Sequence, residues 1–204
     1  MCGDEPVSYL PGPYAYPNDP GCLRTVFTLG PQGTSSHVVA KDLAAGYVRP
    51  FRVELCETYE EACNRALESP RQAVIVANAY SQINHFYISD NLLPIGAFFR
   101  TTPSYGIAVR AEQSNIEDLE RTRLTVASHP APRHLLWQLM PDKAFTVTET
   151  SSTSNAARLV AAGDVDACIT NVEASQAYGL RVVSDLVPIR MLWTLFGPTR
   201  FFQI

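Results

Sequence analysis

The sequence has no run of about 18 apolar residues, so nothing in it reads as a membrane-crossing helix. Nor does it carry a basic excess: 16 lysines and arginines stand against 20 aspartates and glutamates, a formal net charge of −4. A nucleic-acid surface needs a basic stripe, and none is present. The five cysteines (Cys2, Cys22, Cys56, Cys63 and Cys168) are odd in number and show no C-x-x-C spacing. That argues against a disulfide framework and against a zinc site. Cys63 on a helical face and Cys168 in an apolar run read as buried free thiols. His37, His85, His129 and His134 form no paired metal motif, and no glycine pattern fits a dinucleotide or phosphate loop. The start, Met1-Cys-Gly-Asp-Glu5, lacks the basic end and apolar core of a signal peptide, so a cytoplasmic location is expected.

What remains is an ordinary globular composition, 46% hydrophobic, with length enough for one large domain or two lobes. Residues 1–22 carry five prolines and read as an arm without regular structure. From Arg24 onward short apolar strands alternate with amphipathic helices. Thr25-Val-Phe-Thr-Leu29, Ala73-Val-Ile-Val-Ala77, Tyr105-Gly-Ile-Ala-Val109, Leu124-Thr-Val-Ala127 and Val165-Asp-Ala-Cys-Ile169 are the strand candidates. Thr34-Ser-Ser36 caps a helix running towards Ala45, and Thr58-Tyr-Glu-Glu61 is a capping box. A short helix is expected to open at Ser114 and another after Pro132. Ser152-Thr-Ser154 caps a helix that Gly163 stops, and Asn171 caps one ending near Gly179. Such alternation predicts an α/β fold with largely parallel sheets.

Small polar residues concentrate at three strand-to-helix junctions, Gly30–Ser36, Ser128–Arg133 and Ser151–Ser154. Helix amino termini at the carboxyl ends of parallel strands present free amides and partial positive charge, which suits a small anion with several carboxylates. The competing reading is plain helix capping, which every α/β protein needs.

The run Gly30-Pro-Gln-Gly-Thr-Ser-Ser36 resembles the first motif of prephenate dehydratase catalytic domains. Ser128-His-Pro130, Ser152-Thr-Ser-Asn-Ala-Ala157 and Tyr178-Gly-Leu180 resemble later landmarks of that family in the same order. The departures are informative. Ala77-Asn78-Ala79 stands where the dehydratases carry Glu-Asn-Ser, so the acid is missing, and Ala131 replaces a glutamine after His-Pro. The family's catalytic threonine falls on Leu195. Thr199-Arg200-Phe201, which reproduces its Thr-Arg-Phe tripeptide, comes four residues later, behind Gly197-Pro198. Met191-Leu-Trp-Thr-Leu-Phe196 already reads as the terminal strand, so the tripeptide is expected to be a coincidence. The pattern is closer to the prephenate decarboxylases of bacilysin-type pathways. It resembles them through Ala79-Tyr80, His85-Phe-Tyr87, Phe99-Arg100, Ala108-Val-Arg110, Thr170-Asn171 and Trp193-Thr-Leu-Phe-Gly197.

This resemblance implies a two-lobed fold like the type II periplasmic binding proteins, with a cleft between lobes and no ACT domain. The arm is 1–22, one lobe 23–101 plus 185–204, the other 102–184. It implies prephenate as substrate, a non-aromatising decarboxylation in secondary metabolism as the reaction, and no cofactor, because the diene is its own electron sink. No nucleic-acid or membrane partner is expected, and a homodimer is left open. Thr34, Ser35, Ser36, Ser152, Thr153 and Ser154 are candidates for carboxylate binding, with Ser128, His129 and Asn171 beside them. Arg100 and Arg133 are candidate carboxylate clamps or ordinary surface arginines. Asn78 is placed to hold the ring hydroxyl without protonating it. His85 is the preferred proton donor, with Tyr87, Tyr105 or a bound water as alternatives; His85 as a loop residue and His129 as a turn residue are the competing readings. Trp193 is assigned to the core. A dehydratase with a displaced tripeptide and a binding module without catalysis are the alternative functions.

Overall fold

The computed structural model describes residues 9–11, 23–46, 50–113, 115 and 123–201. The elements begin β1 (Tyr9–Pro11), β2 (Thr25–Leu29), α1 (Ser35–Ala45), β3 (Arg52–Cys56), α2 (Tyr59–Ala66), β4 (Gln72–Ala77), α3 (Asn84–Tyr87) and β5 (Leu92–Thr101). They continue with β6 (Tyr105–Arg110), β7 (Leu124–Ser128), α4 (Leu135–Leu139), β8 (Phe145–Glu149), α5 (Thr153–Ala162), β9 (Ala167–Asn171), α6 (Val172–Ala177), β10 (Leu180–Val182) and β11 (Arg190–Pro198). The helix expected at Ser114 lies outside the described residues. No helix among the described residues is long and apolar enough to cross a membrane.

The chain divides into two compact units. Unit 1 is Met1–Gly30, Ser36–Thr102 and Arg190–Ile204; unit 2 is Pro31–Ser35 and Pro103–Ile189. The second boundary falls five residues later than the sequence suggests, and the short run Pro31–Ser35 groups with unit 2.

Unit 1 holds a six-stranded sheet in the order β1-β5-β11-β4-β2-β3. β2 pairs in parallel with β3 and with β4, as βαβ connections require. β11 then runs antiparallel to both β4 and β5. Unit 2 holds the order β10-β6-β9-β7-β8, with β7 parallel to β8 and β9, and β6 antiparallel to β9 and β10. The expectation of largely parallel sheets is therefore corrected to mixed ones. Among the strands of opposite sense to the βαβ strands are β11, which returns to unit 1 after unit 2, and β6, the first strand of unit 2.

A second correction concerns the arm, expected to hold no regular element. Tyr9–Pro11 lies as an edge strand on β5, pairing Tyr9 with Phe98 and Pro11 with Gly96. Pro11 is compatible with that place because an edge strand has one side without ladder partners.

Side chains alternate across the unit 1 sheet with a period of two. Ile75, Trp193 and Leu195 pack one layer with Val39, Ile95 and Phe98. Val74, Val76 and Phe196 pack the other with Tyr59, Ala62 and Phe86. Thr194, 2% exposed, is the polar interruption of this second face. Caps follow the sequence closely. Ser152 Oγ accepts from Asn155 N–H at 3.0 Å, and Gly163 ends α5 in the left-handed region at φ 81°. Thr58 Oγ1 accepts from Glu61 N–H at 3.1 Å, but the Glu61 carboxylate reaches back to the amide of Glu57 rather than of Thr58.

Candidate active site

In unit 2 the strands β7, β8 and β9 are parallel, so their carboxyl ends share one edge of the sheet. Tyr105 joins that edge because β6 runs antiparallel with Tyr105 opposite Asn171. The segment 31–35 is tied to the same edge at three points. Asn171 Nδ2 donates to the Gly33 carbonyl at 2.9 Å, Ser154 Oγ donates to the Gln32 carbonyl at 3.4 Å, and Ser35 Oγ meets the Tyr105 hydroxyl at 2.6 Å. Gly33 sits at φ 83°, a conformation that a side chain disfavours. Asn171 is fully buried, and its Oδ1 also accepts from Ala174 N–H at 2.7 Å. Both ends of this amide are thus engaged with the protein itself.

The hydroxyls around α5 are engaged in the same way. Thr150 Oγ1 donates to the Ser152 carbonyl at 3.0 Å, and Thr170 Oγ1 to the Thr153 carbonyl at 2.9 Å. Ser128, fully buried, donates from Oγ to the His129 carbonyl at 2.8 Å. What the α5 amino terminus leaves over is the Thr153 hydroxyl and the backbone N–H groups of Thr153 and Ser154, which have no intrahelical acceptor. That is a donor cluster with partial positive charge, suited to a carboxylate.

His129 is half-buried, and its Nδ1 accepts from Ala131 N–H at 3.3 Å, which leaves the proton of the neutral ring on Nε2. Burial pushes its pKa below the ordinary 6.5, against the opposing pull of Glu149. His37 on α1 is also pushed down, by burial first and by Lys41 second. Both rings bind a proton more weakly folded than unfolded, so the unfolded chain takes up more protons just below pH 6.5. Stability is therefore fully present above 6.5 and falls as the pH drops from there towards the lowered values. Urea midpoints across that range are expected to decline, and His129→Gln to flatten the decline. An unchanged slope in that variant contradicts the assignment to His129.

In unit 1 the carboxyl ends of β2, β3 and β4 likewise share an edge. There Ser36 Oγ meets the Tyr59 hydroxyl at 2.7 Å, and the Tyr59 oxygen accepts from Ala77 N–H at 3.4 Å. Asn78, directly after β4, lies in a closed ring of hydrogen bonds. Its Nδ2 donates to the Tyr87 hydroxyl at 3.0 Å, and Thr194 Oγ1 donates to its Oδ1 at 2.9 Å. The Tyr87 and Thr194 hydroxyls are 2.7 Å apart. Sequence reasoning missed Thr194. Its signal was a lone hydroxyl inside the apolar run Met191–Phe196.

Other candidates stand apart from these clusters. His85 is exposed on α3, two residues before Tyr87. Arg100 pairs with Asp42 at 2.7 Å, while its carbonyl accepts from Trp193 Nε1 at 3.2 Å. Arg133 lies 3.8 Å from Glu149, both side chains about half exposed. Tyr105 is 5% exposed and burial raises its pKa, so its proton is held tightly.

No family profile matches the chain. Prephenate decarboxylase of Bacillus subtilis strain 168 is 39% identical over 180 residues, covering 86% of this chain and 87% of the relative. The chain belongs to the prephenate decarboxylase family. A second family member, from Planktothrix agardhii strain NIVA-CYA 126/8, is 31% identical over 190 residues, covering 90% of this chain and 92% of its own. Among solved structures, prephenate dehydratase from Arthrobacter aurescens, in complex with L-Phe, superposes with TM-score 0.61 at 16% identity. That match covers 85% of this chain and 59% of the dehydratase. A periplasmic transporter gives 0.56 at 13% identity over 90% of this chain and 78% of its own. The fold is thus that of dehydratase catalytic domains and periplasmic binding proteins.

In this decarboxylase-family chain the dehydratase tripeptide is out of place. Thr199–Phe201 forms a 3-10 turn after β11. β11 sets Trp193 opposite Ala77 and Phe196 opposite Val74, so Thr199 emerges at the edge opposite Asn78. It lies five positions beyond Thr194, about 17 Å of extended chain. Thr199 Oγ1 is buried without a hydrogen-bond partner, and Arg200 donates to the Leu67 carbonyl. Thr199→Val is expected to leave turnover unchanged and to keep or slightly raise stability, because it removes an unsatisfied buried hydroxyl. A loss of turnover of about a hundredfold or more, the scale of a lost catalytic proton donor, contradicts that placement.

Proposed function

We infer that the chain catalyses the non-aromatising decarboxylation of prephenate to dihydro-4-hydroxyphenylpyruvate, a step suited to making a non-proteinogenic amino acid. The observation that carries this is the 39% identity, over 86% of the chain, to a protein named prephenate decarboxylase. The bond between the ring and its carboxylate breaks, its electron pair enters the diene, and a ring carbon takes up one proton as carbon dioxide leaves. The hydroxyl must stay, although its loss would aromatise the ring. The misplaced Thr199 and the alanine at position 77 support this reading, since both remove groups that could help the hydroxyl depart.

The Thr153 hydroxyl and the free amides of α5 are our proposed carboxylate anchor. Asn171, Tyr105 and Ser154 act as positioning residues, since each holds the 31–35 segment. His129, with its proton on Nε2, is the donor we propose towards a substrate oxygen in unit 2. Prephenate supplied to the purified protein is expected to release carbon dioxide without the phenylpyruvate chromophore appearing. Stoichiometric phenylpyruvate would overturn the reading.

A further inference from the structure

The ring of Asn78, Tyr87 and Thr194 contains a proton balance that bears on product choice. Thr194 has one hydroxyl proton, and it goes to Asn78 Oδ1. The 2.7 Å contact between the two hydroxyls must then be filled by the Tyr87 proton. The Tyr87 oxygen in turn accepts from Asn78 Nδ2. Tyr87 is 41% exposed and Thr194 is 2% exposed, so the phenol forms the open rim and the threonine the floor. The remaining hydrogen on Asn78 Nδ2 belongs to a carboxamide, which hydrogen-bonds but does not give up a proton near neutrality.

We propose that Thr194 is a specificity-determining positioning residue: by accepting the Tyr87 proton it makes this rim a cradle that holds the substrate's ring hydroxyl and cannot protonate it. The proposal rests on the decarboxylase reading and names what guards it against dehydration. In dehydration the electron pair released with carbon dioxide would expel the hydroxyl, which needs a proton to leave as water. Tyr87 is the nearest acidic hydroxyl in this cluster, and Thr194 keeps its proton engaged. With Thr194 replaced by valine, of nearly the same shape, the phenol is released to donate outward. The proton it loses to the departing hydroxyl returns from solvent.

The test is the ratio of phenylpyruvate to dihydro-4-hydroxyphenylpyruvate formed from prephenate. Thr194→Val is expected to raise that ratio by about a hundredfold, the lower end for a positioned acid. Thr194→Ser is expected to restore the wild-type ratio. The double variant Tyr87→Phe with Thr194→Val is expected to do so too, because the effect passes through the Tyr87 proton. Thr194→Ala, which likewise offers Tyr87 no acceptor, is a second test should valine impair folding. An unchanged ratio in a folded Thr194→Val, or in Thr194→Ala if valine does not fold, overturns the proposal. So does a raised ratio that persists in the double variant. A wild type that yields only phenylpyruvate overturns the decarboxylase reading instead, whatever the variants do.

Discussion

Asn171→Ala is expected to destabilise unit 2 by about 2–5 kcal/mol and to reduce turnover even where the variant stays folded. The side chain is fully buried and serves two buried backbone groups, the Gly33 carbonyl and the Ala174 amide. Removing it takes a donor from the Gly33 carbonyl and the cap from the Ala174 amide, and a buried group that loses its partner costs about 1–3 kcal/mol. The first loss also frees a segment that must hold Gly33 at φ 83°, so the geometry of 31–35 goes with the stability. Asn171→Asp separates the two roles. It keeps the cap on Ala174, which a carboxylate at a helix amino terminus favours. It also sets a charged oxygen where a donor faced the Gly33 carbonyl at 2.9 Å. That carboxyl is expected to titrate above its usual range when folded. The penalty is then present above the raised pKa and relieved as pH falls through it. Denaturation can be read locally, because Trp137 belongs to unit 2 and the only other tryptophan, Trp193, to unit 1. In a Trp193→Phe background the fluorescence reports unit 2. Equal stability of Asn171→Ala and its parent would contradict the anchoring role.

Trp193→Ala is expected to cost about 3–5 kcal/mol, the range for deleting a buried large aromatic. Trp193 is 1% exposed, packs among Ile75, Ile95, Phe98 and Leu195, and donates from Nε1 to the Arg100 carbonyl. A domain's whole stability is about 5–15 kcal/mol, so this one change brings unit 1 near its unfolding threshold. Trp193→Phe keeps much of the packing and loses the indole donor, for a smaller cost of about 1–3 kcal/mol. Midpoints of chemical denaturation followed by circular dichroism give both numbers. A small effect of the alanine variant would mean that β11 is not the core strand its pairing with β4 and β5 makes it.

Much of this was legible in the sequence, for local reasons. The strands around Val26, Ile75 and Ile107 announce themselves as apolar runs. Thr58, Ser152, Asn171 and Gly163 each declare a helix end within a few residues of it. The terminal strand could be read from Met191–Phe196, and with it the displacement of Thr199 from the dehydratase frame. What could not be read is whatever depends on distant partners. Ser35 and Ser36 face the Tyr105 and Tyr59 hydroxyls, 70 and 23 residues away, and no local pattern announces either contact. The pairing of Arg100 with Asp42 of α1 is hidden in the same way. Thr194 looked like strand filling, because Asn78 lies 116 positions away. The strand Tyr9–Pro11 was hidden by the proline-rich sequence around it, which disfavours a central strand and not an edge.

The most direct measurement is a proton NMR spectrum of the product formed from prephenate in deuterated buffer, with no cofactor added. Olefinic ring signals, a retained carbon bearing the hydroxyl and one deuterium on a ring carbon are the predicted result. Aromatic signals of phenylpyruvate, with no deuterium in the ring, would contradict it.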